Sequence, residues 1–228
     1  MSLAVVGTDT GIGKTVVTAA LVARLREQHN GDGDPPRAIK PAQTGYPGDD
    51  DAGYVRWVCG EESAAVRLRT REDPLAPAVA ARQAGDPIDY RDLLADTRAA
   101  MATGGVVEAA GGLRVPLSNE PYREIVDLVV DLGVPALVVA RSGLGTLNHT
   151  ALTVEALRRR GVPVAGVVLN RYTGGSVAER TNPDELERMC DCPVDTLPER
   201  SLDSPGDVRA LADHLPERIW PPPSGGGV

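Results

Sequence analysis

Gly7-Thr8-Asp9-Thr10-Gly11-Ile12-Gly13-Lys14-Thr15 is the stretch that decides the fold. It follows a short apolar run, Leu3-Ala4-Val5-Val6. It opens residues 14–28, where Val17, Ala20, Leu21 and Leu25 recur at helical spacing. A glycine-rich turn between a strand and a helix gathers backbone N–H groups, and the helix N-terminus adds partial positive charge, so the turn suits a phosphate. Lys14 then reaches toward β- and γ-phosphates, and the Thr15 hydroxyl is placed for Mg²⁺. The usual pattern has a glycine five residues before Gly13. Thr8 stands there, and Gly7 lies one residue further back.

Outward from this loop the pattern alternates. Residues 37–40 read as a strand stopped by Pro41. Residues 105–108, 136–140 and 164–169 are further short apolar runs of the kind found in buried strands. Helical spacing covers 51–58, a stretch near 77–84, 90–101, 122–132, 147–160, 183–189 and 207–215. Residues 59–74 carry no readable pattern. Alternating strands and helices predict an α/β single-domain P-loop fold, with a mostly parallel central sheet and helices on both faces. The domain is expected to span residues 1–220, with residues 221–228 a flexible Pro/Gly tail.

The chain has 228 residues, no Phe and 3% aromatic residues, so its core must rest on Val, Leu, Ala and Ile. A net charge of −8 argues against a nucleic-acid binder. No apolar run approaches the ~20 residues that span a membrane. The first residues carry no basic leader, and a cytoplasmic protein is expected. Cys59, Cys190 and Cys192 suggest no disulfide framework, and Cys190-Asp191-Cys192 lacks a second ligand pair for a metal.

Beyond the loop, four stretches carry chemistry. Ile39-Lys40-Pro41-Ala42-Gln43-Thr44-Gly45 puts a lysine at the end of the second strand, where open α/β sheets bind ligands. Asp49-Asp50-Asp51 leads into a helix. Glu108 ends an apolar strand just before Ala109-Ala110-Gly111-Gly112. Gly143-Leu144-Gly145-Thr146-Leu147-Asn148-His149 precedes another helix, whose exposed N–H groups suit a carboxylate.

Taken together, these stretches resemble the dethiobiotin synthetases. The loop form Gly-Thr-Asp-Thr-x-x-Gly-Lys-Thr is similar to theirs and to that of the related cobyrinic acid synthetases. Partitioning ATPases of the same superfamily carry a signature lysine where this chain has Asp9. The resemblance runs from Gly7 to about Arg200. It implies an ATP-dependent cyclo-ligase of the penultimate step of biotin biosynthesis. ATP, or another nucleoside triphosphate, CO₂ and 7,8-diaminononanoate would give dethiobiotin through a carbamate and a carbamic–phosphoric anhydride.

The resemblance also implies residue roles. Lys40, Lys14, Thr10 and Thr44 would be catalytic, stabilising carbamate and phosphoryl oxygens. Thr15, Asp51 and Glu108 would hold Mg²⁺. The nucleotide would meet Gly11, Ile12, Gly13, Lys14, Thr15, Val16, Asp51 and Glu108. Its base would meet Asn170, Arg171, Pro198, Glu199 and Arg200. The substrate would meet Thr44, Ala110 and Gly111, and its carboxylate would meet Gly145, Leu147 and Asn148 of a neighbouring subunit in a homodimer. His149 reads as structural rather than as a base. The family's Glu-Gly-Ala-Gly-Gly is Glu108-Ala109-Ala110-Gly111-Gly112 here, so either residue 109 needs no positive φ or the loop has shifted. Positive groups from two neighbouring strand ends are expected to converge on the terminal phosphate. Two other readings remain: a fragment of a cobyrinic-acid-type amidotransferase, which needs a glutaminase domain, and a nucleotide-switched partitioning scaffold, which needs the signature lysine.

Overall fold

A computed structural model describes residues 2–31, 33–216 and 219. Seven parallel strands form one sheet in the order β3-β2-β4-β1-β7-β8-β9. In chain order they are β1 (Ser2–Gly7), β2 (Arg37–Gln43), β3 (Ala65–Thr70), β4 (Gly105–Glu108), β7 (Ala136–Arg141), β8 (Val164–Tyr172) and β9 (Val194–Pro198). A separate antiparallel pair joins β5 (Pro116–Asn119) to β6 (Tyr122–Glu124). The helices are α1 (Lys14–Glu27), α2 (Asp51–Cys59), α3 (Pro77–Gln83), α4 (Tyr90–Ala100), α5 (Ile125–Leu132), α6 (Thr146–Arg159), α7 (Val177–Cys190) and α8 (Pro205–Arg209).

Strand period two sorts the core into two layers. In β1, Leu3 and Val5 enter one apolar cluster with Val17 and Leu21 of α1, Val55 of α2 and Val208 of α8. Ala4 and Val6 enter the other, with Leu93 of α4, Leu128 of α5, Leu157 of α6 and Leu186 of α7. Each fully buried Val or Leu in these layers contributes ~1.5–3 kcal/mol of transfer free energy. That is how a chain without Phe fills its interior. Because both faces are covered, the sheet presents its strand ends, and β1 hands its C-terminal end directly to the phosphate loop.

The structure departs from the sequence expectations in several places. β2 runs through Pro41 to Gln43. Its ladder with β4 stops at Ile39, so the missing N–H of Pro41 falls where only β3 is still paired. Residues 59–74 hold edge strand β3, whose Arg67 and Arg69 interrupt the apolar signal. The expected helix at 122–132 begins at Ile125, because Glu124 and Asp127 form a reciprocal cap and the residues before them pair as a hairpin. α7 begins at Val177, not at Pro183. Ser176 and Glu179 close a capping box there, and Pro183 lies inside the helix at the cost of one backbone hydrogen bond. β9 was not foreseen. β1 and β2 are not neighbours, since β4 lies between them. The tail at 221–228 lies outside the described residues. Among the described residues, no helix is long and apolar enough to cross a membrane.

Candidate active site at the phosphate loop

The loop between β1 and α1 turns through Gly11 (φ 69°) and Gly13 (φ 96°), a conformation that glycine adopts without steric cost. A Cβ on Gly13 would also lie 1.9 Å from Asn170 Nδ2. The Asn170 amide donates to the Ile12 carbonyl at 2.9 Å, fastening the loop to the end of β8. Ile12 itself is buried in the core and Val16 is half-buried against it. Lys14 is buried and folds back to donate to the Asp9 carbonyl at 2.9 Å. The Asp9 carboxylate accepts from the Thr10 N–H at 2.7 Å and lies 3.7 Å from Arg141 at the end of β7.

Thr15, on the first turn of α1, donates to Asp51 Oδ1 at 2.8 Å or to Glu108 Oε1 at 2.9 Å. Lys40 Nζ reaches the same Glu108 oxygen at 2.9 Å and pairs with Asp51 as well. Lys40 and Glu108 are 4% and 2% exposed, so this is a buried cluster of one ammonium and two carboxylates. Each buried ion costs several kcal/mol unless paired, and the arrangement meets that cost by sharing. Burial alone would lower Lys40, but Glu108 and Asp51 outweigh it and raise its pKa. Burial alone would raise Asp51, but Lys40 and the Thr15 hydroxyl hold it below the usual carboxylate range. For Glu108 burial prevails over Lys40, and its pKa rises.

Lys14 is different. Burial first, and the Lys40 charge second, bring it down to about 8. A phosphate on the loop pairs with the charged form. Affinity for a nucleoside diphosphate is therefore expected to fall as pH rises through about 8, approaching tenfold per pH unit, with one proton taken up on binding above that pH. Calorimetry across that range, in two buffers of different ionisation enthalpy, checks this. Affinity that stays flat contradicts it.

These groups line an open cleft of ≈ 380 Å³. Thr10, Gly11, Gly13, Lys14 and Thr15 line it together with Lys40, Thr44, Asp51, Glu108, Ala110, Gly111 and Arg171. So the two lysines line one cleft although β1 and β2 are not adjacent, and Glu108 at the end of the intervening β4 bonds both Lys40 and Thr15. Ala42, Gln43 and Asp49 also line the cleft and were missed. Gln43 is the informative one. Its Oε1 accepts from the Asp51 N–H at 3.2 Å and its Nε2 donates to the Thr44 carbonyl at 3.0 Å, so it ties two site residues together. Its place beside Thr44 was the available signal.

Ala109 has no positive φ. Its N–H donates to the Val5 carbonyl at 3.0 Å, which extends the β4–β1 pairing by one residue. The methyl is therefore tolerated and Gly111 makes the turn instead (φ 69°).

Of the remaining candidates, Arg171 is at the cleft, while Asn170, Gly145, Leu147, Asn148, Pro198, Glu199 and Arg200 do not line it. Arg171 adopts a left-handed backbone (φ 55°), where the pairing of β8 with β9 is irregular. Glu199 N–H donates to the Tyr172 carbonyl at 3.1 Å, so Pro198, Glu199 and Arg200 sit beside the end of β8. Gly145, Leu147 and Asn148 form the start of α6 and do not line the cleft. Leu144, just before them, is 97% exposed, and His149 is exposed too.

Among the described residues there is no cluster of three or more His, Cys, Asp or Glu suited to a metal ion. The Thr15 hydroxyl lies within hydrogen-bond distance of both the Asp51 and the Glu108 carboxylates. Two carboxylates and a hydroxyl fit Mg²⁺, which takes few protein oxygens and leaves positions for phosphate and water.

A family model described as an AAA domain matches residues 1–213. A relative from Haloferax mediterranei named ATP-dependent dethiobiotin synthetase is 54% identical over 216 residues, covering 93% of this chain and 90% of its own length. Relatives of the same name from Anaeromyxobacter sp. (strain K) and Mycobacterium marinum are 47% and 44% identical, each covering 82% of this chain and 84% and 82% of their own lengths. Among solved structures, a ParA family ATPase from Chlorobium tepidum aligns with a TM-score of 0.57 at 13% identity, covering 96% of this chain and 93% of its own. A nucleotide-binding protein in complex with ADP from Archaeoglobus fulgidus aligns with a TM-score of 0.51 at 11% identity, covering 97% and 91%. At such identities the two structures bear on the fold alone.

Proposed function

The chain belongs to the ATP-dependent dethiobiotin synthetase family, and on that premise we propose how its cleft closes a ureido ring. The reaction is ATP + CO₂ + 7,8-diaminononanoate giving dethiobiotin, ADP and phosphate, the penultimate step of biotin biosynthesis. One amine of the substrate adds to CO₂ and forms a carbamate. A carbamate oxygen takes the γ-phosphoryl group. The second amine then attacks the carbonyl carbon, and phosphate leaves with the oxygen that bound it.

The buried Lys40 ammonium, shared between Glu108 and Asp51 beside the phosphate loop, carries this reading. Such a preorganised cation stabilises negative charge where it develops, and it needs no solvent reorganisation to do so. Lys40 and Thr44 meet the carbamate oxygens. Lys14 and the N–H groups of Thr10 to Thr15 meet the phosphates. Ala110 and Gly111 meet the substrate where they line the cleft. Thr15, Asp51 and Glu108 would hold Mg²⁺, which when bound neutralises β- and γ-phosphate charge. Asn170 and Arg171, with Pro198, Glu199 and Arg200, receive the nucleotide base. Catalysis is then mainly positioning and charge stabilisation.

We also propose a homodimer in the cytoplasm, where ATP is at hand. Gly145, Leu147 and Asn148 stand outside the cleft of their own chain at an exposed helix start. That supports a role for them at a neighbouring subunit's cleft, with the α6 N-terminus taking the substrate carboxylate. The deciding assay is phosphate release by the purified protein. It is expected to require both bicarbonate and 7,8-diaminononanoate. Release that ignores the diamine would overturn the reaction and favour a nucleotide switch.

A further inference from the structure

Lys40 and Arg67 are register partners on β2 and β3. Register partners project from the same face of a sheet. Their side chains take two adjacent carboxylates: Lys40 takes Asp51 and Arg67 takes Asp50. Asp50 is also the N-cap of α2, accepting from the Gly53 N–H at 2.7 Å, so it fixes where that helix begins and hence where Asp51 stands. The Arg67 guanidinium lies 4.4 Å from the centroid of the Tyr46 ring and 3.4 Å from its hydroxyl. Tyr46 follows the Thr44-Gly45 turn, and its N–H donates to the Arg71 carbonyl at 3.1 Å. One guanidinium therefore grips the loop at both ends, beside Thr44 and beside Asp51.

We propose that Arg67 is a positioning residue that holds the loop at 44–51 so that Thr44 and Asp51 enter the cleft together. Arg67 itself does not line the cleft. This rests on the reading above, in which Thr44 meets the carbamate and Asp51 meets the metal. A guanidinium suits the task because its planar face stacks on an aromatic ring while its edge donates to a carboxylate, a planar geometry that an ammonium lacks. Arg67 also has a cost that a surface residue would avoid: its side chain is only 17% exposed, so its charge must be matched by Asp50.

The test uses Arg67→Ala and Arg67→Lys in the full chain. Calorimetry measures ADP binding in EDTA and at increasing Mg²⁺, and steady-state assays measure KM for the diamine. For Arg67→Ala, the Mg²⁺ needed to strengthen ADP binding is expected to rise about tenfold, as when support for a metal-binding carboxylate is lost. KM for the diamine should rise as well, while ADP affinity in EDTA stays at the wild-type value. Arg67→Lys should recover the Mg²⁺ dependence only partly. A lowered melting temperature with unchanged Mg²⁺ dependence and unchanged KM would overturn the proposal, since a purely structural residue gives that result. If Arg67→Ala does not fold, Asp50→Asn keeps the helix cap acceptor and removes the charge. It should move both readings in the same direction, and wild-type values would overturn the proposal. The calorimetric arm needs no diamine, so it stands even if wild-type protein shows no diamine-dependent turnover.

Discussion

Lys40→Ala is expected to lower kcat by about 10³-fold, the usual scale for removing a preorganised donor from a developing oxyanion. Nucleotide affinity should change less, because in the proposed reading the phosphates are held by Lys14 and the backbone of the loop at 8–15, whereas Lys40 pairs with Glu108 and Asp51. The variant has a second signature. Without the ammonium, Glu108 and Asp51 are two adjacent carboxylates with a single hydroxyl between them. Breaking a buried pair costs ~3–5 kcal/mol, so the melting temperature should drop in metal-free buffer. Mg²⁺ should restore more stability to Lys40→Ala than to wild type. Single-turnover phosphate release, ADP calorimetry and thermal melts with and without Mg²⁺ measure these. Near-wild-type turnover would remove Lys40 from the mechanism.

Lys14→Ala is expected to abolish detectable phosphate transfer, with a loss exceeding about 10³-fold, and to weaken nucleotide binding as well. That combination separates the two lysines. Its structural cost should be small. The Lys14 ammonium makes one hydrogen bond, to the Asp9 carbonyl, and its burial is unfavourable enough to bring its pKa to about 8. The stability consequence has a definite sign. Between about pH 8 and 10.5 the unfolded chain holds this proton and the folded chain has lost it. Wild type should therefore gain stability with rising pH across that window, and Lys14→Ala should lack the gain. Chemical denaturation at two pH values in the window, compared between the proteins, checks it. An identical pH slope would contradict the assignment.

The parts of the fold with a single strong period were legible from residues alone. β1, α1 and the loop between them follow from the apolar run, the glycines and Lys14-Thr15. β7 and β8 follow from continuous Val, Leu and Ala. What escaped was structure decided by partners. β3 alternates Val66 and Leu68 with Arg67 and Arg69, and those arginines are explained only by Asp50 and Asp96. The β5–β6 hairpin is short, and the apolar period of α5 ran backward into it. The start of α7 was masked by Pro183, although Ser176 and Glu179 carried a capping box.

The site was legible in a similar way. Lys14 and Thr15 follow from the loop motif, Lys40 and Glu108 from strand-end positions, and Asp51 from the family resemblance; the structure brings all five to one cleft. The expectation of two neighbouring strand ends was wrong in one respect, since β4 lies between β1 and β2. Glu108 is on that intervening strand, which is why one carboxylate reaches both Thr15 and Lys40. Gln43 and Arg67 were not named. Gln43 bonds to Thr44 and Asp51, and its place beside Thr44 was its one signal; Arg67 meets Asp50 and Tyr46 from a different strand, which nothing in residue type or spacing announces.

The most direct measurement follows an oxygen atom. With ¹⁸O-labelled bicarbonate in short incubations, a carbamic–phosphoric anhydride must deliver one labelled oxygen to the released phosphate, because the carbamate oxygen that took phosphorus stays with it when the ring closes. Labelled phosphate, formed only when the diamine is present, is the predicted result. Phosphate free of label, released alongside dethiobiotin, would contradict it.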